Sequence, residues 1–283
     1  MTHFEIGTWQ QLREGVYHAT LEPAGVNVGL VVGKSACLLV DTGSSPEQGR
    51  ELRASIAALT PVPLTTVVVT HHHWDHAYGL AAFADLETIG HETVAATLAT
   101  PGAAARAEEL GFDATELTPP SRPVTSIAAR DLGGAHVEIG HFGAAHTQGD
   151  LTVLVPGRRV LFAGDLVEEG APPGVDDTTS FQGWHRVLES VGTLCRPDTL
   201  VVPGHGAVVN DAYVNWQRAG LHAVWGQCEW LVQNGIKEVD AYSYQDLQWP
   251  WGEEWARAAI HRAYEELAAQ GHVPRTQLPL RSL

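Results

Sequence analysis

The apolar and polar positions of the chain fall into two periods. Short apolar runs bounded by turn residues lie at residues 16–19, 26–32 and 36–40, and they predict three consecutive strands, turned at Pro23-Ala24-Gly25 and at Gly33-Lys34. Over 45–59 the spacing changes to helical: Leu52, Ile56 and Leu59 recur at three- and four-residue steps, with Pro46 suited to the first turn. A buried strand follows at 67–70, then a short helix at 77–84 and a strand at 88–90. Residues 93–110 have helical composition interrupted at Pro101-Gly102, and the Pro-rich stretch 118–123 reads as a connector. Residues 137–139, 151–155, 160–163 and 200–202 form a second group of strands, with Arg158-Arg159 as a turn and 181–194 as a helix. Two strand groups with intervening helices predict an α/β (α+β) fold in which helices cover two sheets.

The pattern changes after Asn210. Six of the nine tryptophans lie between Trp216 and Trp255, four of them on two predicted helices, 211–233 and 253–269, and two in the break between them, Trp249-Pro250-Trp251-Gly252. Pro250 and Gly252 stop a helix, and Glu253 and Glu254 favour the first turn of the next. This predicts a catalytic-sized unit over 1–210 and a Trp-rich helical extension over 211–283. Large aromatics are mostly core, so packing onto the sandwich is the first expectation; a lid, or a homodimer surface through these helices, is the alternative.

Composition narrows the function. A chain of 283 residues can bury one large core. Lys and Arg number 17 against 33 Asp and Glu, a formal charge of −16, and no basic cluster stands out that could track phosphates. The expected partner is a small-molecule substrate, with no nucleic acid and no membrane. Cys37, Cys195 and Cys228 form no disulfide framework, and Cys37 sits in an apolar strand as core packing. No apolar core segment marks residues 1–11 as an export signal, so a reduced, cytoplasmic setting is expected.

Candidate chemistry is concentrated in His71-His72-His73-Trp74-Asp75-His76, which follows the apolar run ending at Thr70. Imidazole and carboxylate are the usual ligands of zinc-like cations. If the chain is still extended after Thr70, His71 and His73 point the same way and can grip one cation, while Asp75 and His76, past the turn, reach a second. His146 opens His-Thr-Gln-Gly-Asp, Asp165 closes Leu-Phe-Ala-Gly-Asp, and His205 lies in Val-Val-Pro-Gly-His-Gly, each at or just beyond a strand-like run. Ligands delivered from several strand ends to one sheet edge make a rigid reactive site.

The ordered set of Asp41 in Leu-Leu-Val-Asp-Thr-Gly, the His-x-His-x-Asp-His block, His146, Asp165 and His205 resembles the metallo-β-lactamase superfamily, over about residues 26–209. The resemblance implies a four-layer αββα sandwich of two mixed β-sheets. It implies that His71, His73 and His146 hold one metal, that Asp75, His76 and His205 hold a second, and that Asp165 bridges them. Two divalent ions are implied, zinc first, although the same donors suit iron or manganese. A hydroxide bridging the metals would attack a carbonyl, with Asp75 orienting it and passing on its proton, and Asp41 would orient the site without binding metal; an ordinary strand-end turn role is the alternative for Asp41. His72 and Trp74 fall at variable positions; Trp74 lines the pocket or packs.

The block resembles the glyoxalase II version, whereas Pro-Gly-His-Gly at His205 is more similar to lactamase- and lactonase-type members. Asp165 stands where a class of zinc β-lactamases has Cys, and Glu168 stands where those enzymes have Lys and the acyl-homoserine lactonases have Tyr. A carboxylate there repels a β-lactam's own carboxylate. The expectation is therefore a metal-dependent hydrolase of a small ester, thioester or lactone, with Glu168 either a solvated loop charge or a polar residue facing the pocket. A β-lactam hydrolase, a mononuclear iron persulfide dioxygenase-like oxidoreductase and a non-catalytic metal- or ligand-binding member are the rival readings.

Overall fold

The computed structural model describes residues 4–244 and 247–275. Its first half carries strands β1 (Glu5–Ile6), β2 (Gln10–Arg13), β3 (Val16–Glu22), β4 (Val26–Val32), β5 (Cys37–Val40), β6 (Leu64–Val68), β7 (Glu87–His91) and β8 (Arg122–Val124). The second half carries β9 (Ile127–Asp131), β10 (His136–Gly140), β11 (Thr152–Val155), β12 (Val160–Glu168) and β13 (Leu200–His205). The helices are α1 (Pro46–Leu59), α2 (Trp74–Ala77), α3 (Thr93–Leu98), α4 (Pro101–Leu110), α5 (Phe181–Leu194), α6 (Asp211–Gln233), α7 (Glu238–Ala241) and α8 (Glu253–Ala269).

Strands run in the order β8-β7-β6-β5-β4 in one half and β13-β12-β11-β10-β9 in the other. Both halves mix parallel pairs (β5 with β6, β12 with β13) and antiparallel ones (β3 with β4, β10 with β11). Among the described residues one register pair, Val26 with His205, links strands of the two halves, and backbone bonds outside the strands join them further, Lys34 N–H to the Gly133 carbonyl and Leu151 N–H to the Thr70 carbonyl, both at 2.8 Å. The Asn27 amide reinforces this junction, donating to the carbonyls of Pro203 (3.1 Å) and Gly206 (2.8 Å).

Alternation of side chains along the strands sorts the core into three layers. Leu38 and Val40 of β5, Val68 of β6, Val160 and Phe162 of β12 and Val202 of β13 share one cluster between the two sheets. Their strand neighbours face outward. Cys37, Leu39 and Val67 pack with Leu52 and Ile56 of α1, and Leu161, Ala163 and Val201 pack with α5, α6 and α8. The result is the αββα sandwich. Gly29 is small because the Phe162 ring occupies its place: a Cβ there would lie 2.2 Å from the ring.

The local signals act as anticipated in most elements. Ser45 caps α1 by accepting from the Gln48 backbone N–H, and Pro46 occupies the first turn. The 93–110 segment divides into α3 and α4, with Thr100 capping α4 and Pro101 opening it. The short helix expected over 77–84 begins earlier, as α2, and continues as a 3-10 turn from Tyr78 to Phe83. The connector over 118–123 ends in β8, and β1, β2 and β9 are additional strands at the sheet margins.

Beyond residue 210, α6 and α8 join the same outer cluster as α5. Trp225 is buried there and Trp249, Trp251 and Trp255 pack against it, whereas Trp216 and Trp230 remain exposed. Among the described residues no helix is long and apolar enough to cross a membrane. The three cysteines are free.

Candidate metal centre

The site lies where β6, β12 and β13 end. Hydrogen-bonded strand register stops at Val68, the chain bends through 70–72, and α2 begins at Trp74. His71 and His73 nevertheless converge, with ring centroids 4.6 Å apart. One ligating atom from each of His71, His73, His146 and Asp165 falls within 4.8 Å of the others, and the same holds for Asp75, His76 and His205.

The Asp165 carboxylate divides between the two groups. Its Oδ2 faces His71 Nε2 and His146 Nε2, each at 3.5 Å, while its Oδ1 faces His76 Nε2 at 3.1 Å and His205 Nε2 at 3.7 Å. Asp75 Oδ2 completes the second group at 3.1 Å from His205 Nε2. Donors bound tetrahedrally at about 2.1 Å stand about 3.4 Å apart, so these separations suit cation ligation. His71 Nε2, His76 Nε2 and Asp165 Oδ1 are buried atoms without a hydrogen-bond partner. Buried polar atoms left without a partner in each of the two groups are costly unless something binds there, and the residues present therefore fit divalent cations. Space for the carboxylate comes from Gly204, where a Cβ would lie 1.7 Å from Asp165 Oδ1.

Each imidazole of the first group, and His76 of the second, is fixed through its other nitrogen. Asp41 accepts from the Thr70 backbone N–H (2.7 Å), the Thr70 hydroxyl (2.9 Å) and His76 Nδ1 (2.8 Å). Because the Thr70 hydroxyl donates to Asp41, it is free to accept from His71 Nδ1 at 3.1 Å. His146 Nδ1 donates to the Gly174 carbonyl at 3.1 Å and His73 Nε2 to Asp176 Oδ2 at 2.8 Å. These bonds set the tautomers and leave the other nitrogen of each ring turned into its donor group, His73 Nδ1 and His146 Nε2 lying 3.0 Å from one another. Asp41 reaches its position through a left-handed backbone, φ 62°, which Asp tolerates better than most residues.

Without cations the site is an alternating array of charge. Burial, with the neighbouring His76, holds His71 well below the ordinary imidazole range, and burial takes His146 down to about 4. Burial also opposes charge on His76, but Asp165, Asp41 and Asp75 outweigh it and hold that imidazole well above its ordinary range. At His205 the bond to Asp75 prevails over burial and raises the imidazole to about 9. Cation binding must displace these protons, since only neutral imidazole ligates.

The remaining predicted residues have other surroundings. His72 lies beside His73 and Asp176, apart from the two main groups. Trp74 packs against the outer cluster of the first sheet with the Arg106 guanidinium 4.4 Å above its ring. Glu168 is buried, not a solvated loop charge: its Oε1 accepts from the Gly174 N–H at 2.6 Å. Burial, and then the Asp165 charge, push its carboxyl up to about 8. Two contributors escape sequence reasoning. Asp176 is visible there only as the start of an Asx turn, with Oδ1 accepting from the Thr178 backbone and hydroxyl, and nothing local ties it to His73, 103 residues away. Gly204 reads as a turn glycine.

A family model described as "Metallo-beta-lactamase superfamily" matches residues 21–205. The chain belongs to this superfamily. It is 25% identical over 203 residues to a metallo-beta-lactamase type 2 from Bacillus sp. (strain 170), covering 71% of this chain and 73% of that one. It is 26% identical to an atrochrysone carboxyl ACP thioesterase of Aspergillus fumigatus (66% of this chain, 52% of the relative), and 34% identical to a hydroxyacylglutathione hydrolase of Ruegeria pomeroyi (50% and 48%). The chain thus spans about half the length of these last two. A solved metallo-beta-lactamase from Pontibacter korlensis superposes with a TM-score of 0.63 at 21% identity, over 77% of this chain and 99% of that one, and shares the fold.

Proposed function

We propose that this superfamily member is a two-metal hydrolase, with zinc as the first choice of cation, that cleaves the carbonyl–heteroatom bond of a small ester, thioester or lactone. The observation that carries the reading is the division of the Asp165 carboxylate between two complete donor groups, each containing a buried imidazole nitrogen with no other partner. His71, His73 and His146 would hold one ion, Asp75, His76 and His205 the other, and Asp165 both. When bound, such a pair lowers the pKa of a water between its ions towards neutrality and polarises a carbonyl. Asp75 orients the attacking water and takes up its proton. His73, His205 and Asp176 are the partly exposed members, so the substrate carbonyl approaches from their side.

Relatives named as a thioesterase and a hydroxyacylglutathione hydrolase support the substrate class. Glu168, held largely as the neutral acid beside Asp165, offers no cation to clamp a substrate carboxylate, which disfavours a β-lactam. The complete second donor group disfavours a mononuclear iron oxygenase. The test is elemental analysis of protein purified without added metal, with turnover of a thioester, ester, lactone and β-lactam panel. Two zinc ions per chain and thioester, ester or lactone hydrolysis, abolished by His73→Ala in a protein that still folds, is the expected result. One iron and no hydrolysis, or full activity in His73→Ala, would overturn the proposal.

A further inference from the structure

The segment between β12 and α5 touches the first donor group from one side and α8 from the other. On its inner side Asp176 accepts from His73, the Gly174 carbonyl accepts from His146 Nδ1, and the Thr179 hydroxyl donates to the His146 carbonyl at 2.9 Å. On its outer side three residues of α8 grip it. Trp255 Nε1 donates to the Pro173 carbonyl and Arg262 Nε to the Thr179 carbonyl, both at 2.6 Å. The Glu266 carboxylate accepts from the Ser180 hydroxyl (2.6 Å) and the Phe181 backbone N–H (2.9 Å), and so caps α5 from a different helix. The second donor group is held by other means: His76 by Asp41, and His205 by the end of β13, where Asn27 ties the strand. Among the described residues, the hydrogen bonds of α8 to the site loops all end on residues 173–182.

We propose that α8 is a positioning element for one donor group and not the other: through Trp255, Arg262 and Glu266 it fixes residues 173–180, and thereby the ring orientations of His73 and His146. The inference rests on the two-metal reading above and deepens it. A cation at the His71–His73–His146 group depends on a helix far along the chain, while its neighbour at Asp75–His76–His205 does not. Outer partners of ligating histidines typically change metal affinity about 10–100-fold when removed, which sets the size of the expected effect.

The test uses the full-length zinc-loaded protein and follows release of each ion to a chromogenic chelator. Arg262→Met and Trp255→Phe each delete one donor while keeping apolar bulk, and Glu266→Gln weakens the cap; near-ultraviolet circular dichroism reports intact packing. Glu254→Ala, on the exposed first turn of α8, is the control. The expected result is one ion released about tenfold or more faster, with the other ion and the control unchanged. Equal acceleration of both ions, or of neither, would overturn the proposal. If the wild-type chain holds fewer than two zinc ions, the two-metal reading fails on that count alone. The side-chain ¹⁵N resonances of His73 and His146 in metal-free protein then decide separately: signals unmoved by all three substitutions refute the positioning role, and shifts confined to those rings uphold it.

Discussion

Gly204→Ala probes the bridging carboxylate with one methyl group. Gly204 does not have a left-handed backbone, so alanine is compatible with its φ and the effect is steric. The new Cβ would lie 1.7 Å from Asp165 Oδ1, and 2.9 Å from both its Cγ and its backbone nitrogen, where ordinary contact begins near 3.4 Å. The oxygen must retreat by about 1.7 Å, against a tolerance of about 0.2 Å for a metal–ligand distance. It is the oxygen that faces His76 and His205, so the ion of the second group loses a ligand. The nitrogen contact also forces β12 from β13 by a few tenths of an ångström, and overpacking of this kind costs about 1–3 kcal/mol. Turnover should fall about 100-fold or more, the usual consequence of a 1 Å misplacement at a reacting centre. Elemental analysis, urea unfolding and thioester turnover together read these effects. A Gly204→Ala protein carrying two ions with wild-type turnover would refute the bridging geometry.

Asp41→Asn keeps a residue that tolerates the left-handed backbone but sets an amide against the Thr70 and His76 donors. Because Thr70 relays Asp41 to His71, both ions should bind about 10–100-fold more weakly in a chelator competition, and unchanged affinity would return Asp41 to a turn-forming role. Glu168→Gln tests the buried carboxyl in metal-free protein. Its folded-state pKa, about 8, exceeds the ordinary 4.5, so the native state retains a proton that the unfolded chain gives up. The associated stability is present in full below about 4.5 and is lost as pH rises through about 8. Urea midpoints at pH 5 and pH 9 should therefore differ less for Glu168→Gln than for the wild type; equal differences would show that Glu168 carries no such proton.

The residues of the two candidate donor groups and the strands that carry them are legible in the sequence because each has a short-range signal: an apolar run, a stop and a His or Asp. His71, Asp165 and His205 all follow that grammar, whereas β5 and β12 are buried at every position, so which residues face the inter-sheet core and which face outward emerges only in the structure. What escapes depends on partners distant in the chain. Asp176 gains its meaning from His73, and Gly204 from the carboxylate of Asp165 packed against it across two strands. Marginal strands are hidden for another reason. In β2 three of four residues are exposed, and β9 alternates exposed with half-buried positions, so neither presents an apolar run. β12 continues to Glu168 through Gly164, which reads as a terminating turn but acts as an irregularity in the pairing with β13.

Strand register joins the two sheets at one residue pair among the described residues, and the candidate donors come from both: His71, His73, Asp75 and His76 from the first half, His146, Asp165 and His205 from the second. A cation seated between them is therefore a rivet across the seam of the sandwich. Each ion bound only by the assembled halves contributes about 2.7 kcal/mol to holding them together at a free concentration one hundred times its dissociation constant. On the proposed function, catalytic competence and the closure of this seam would rest on the same few nitrogen and oxygen atoms.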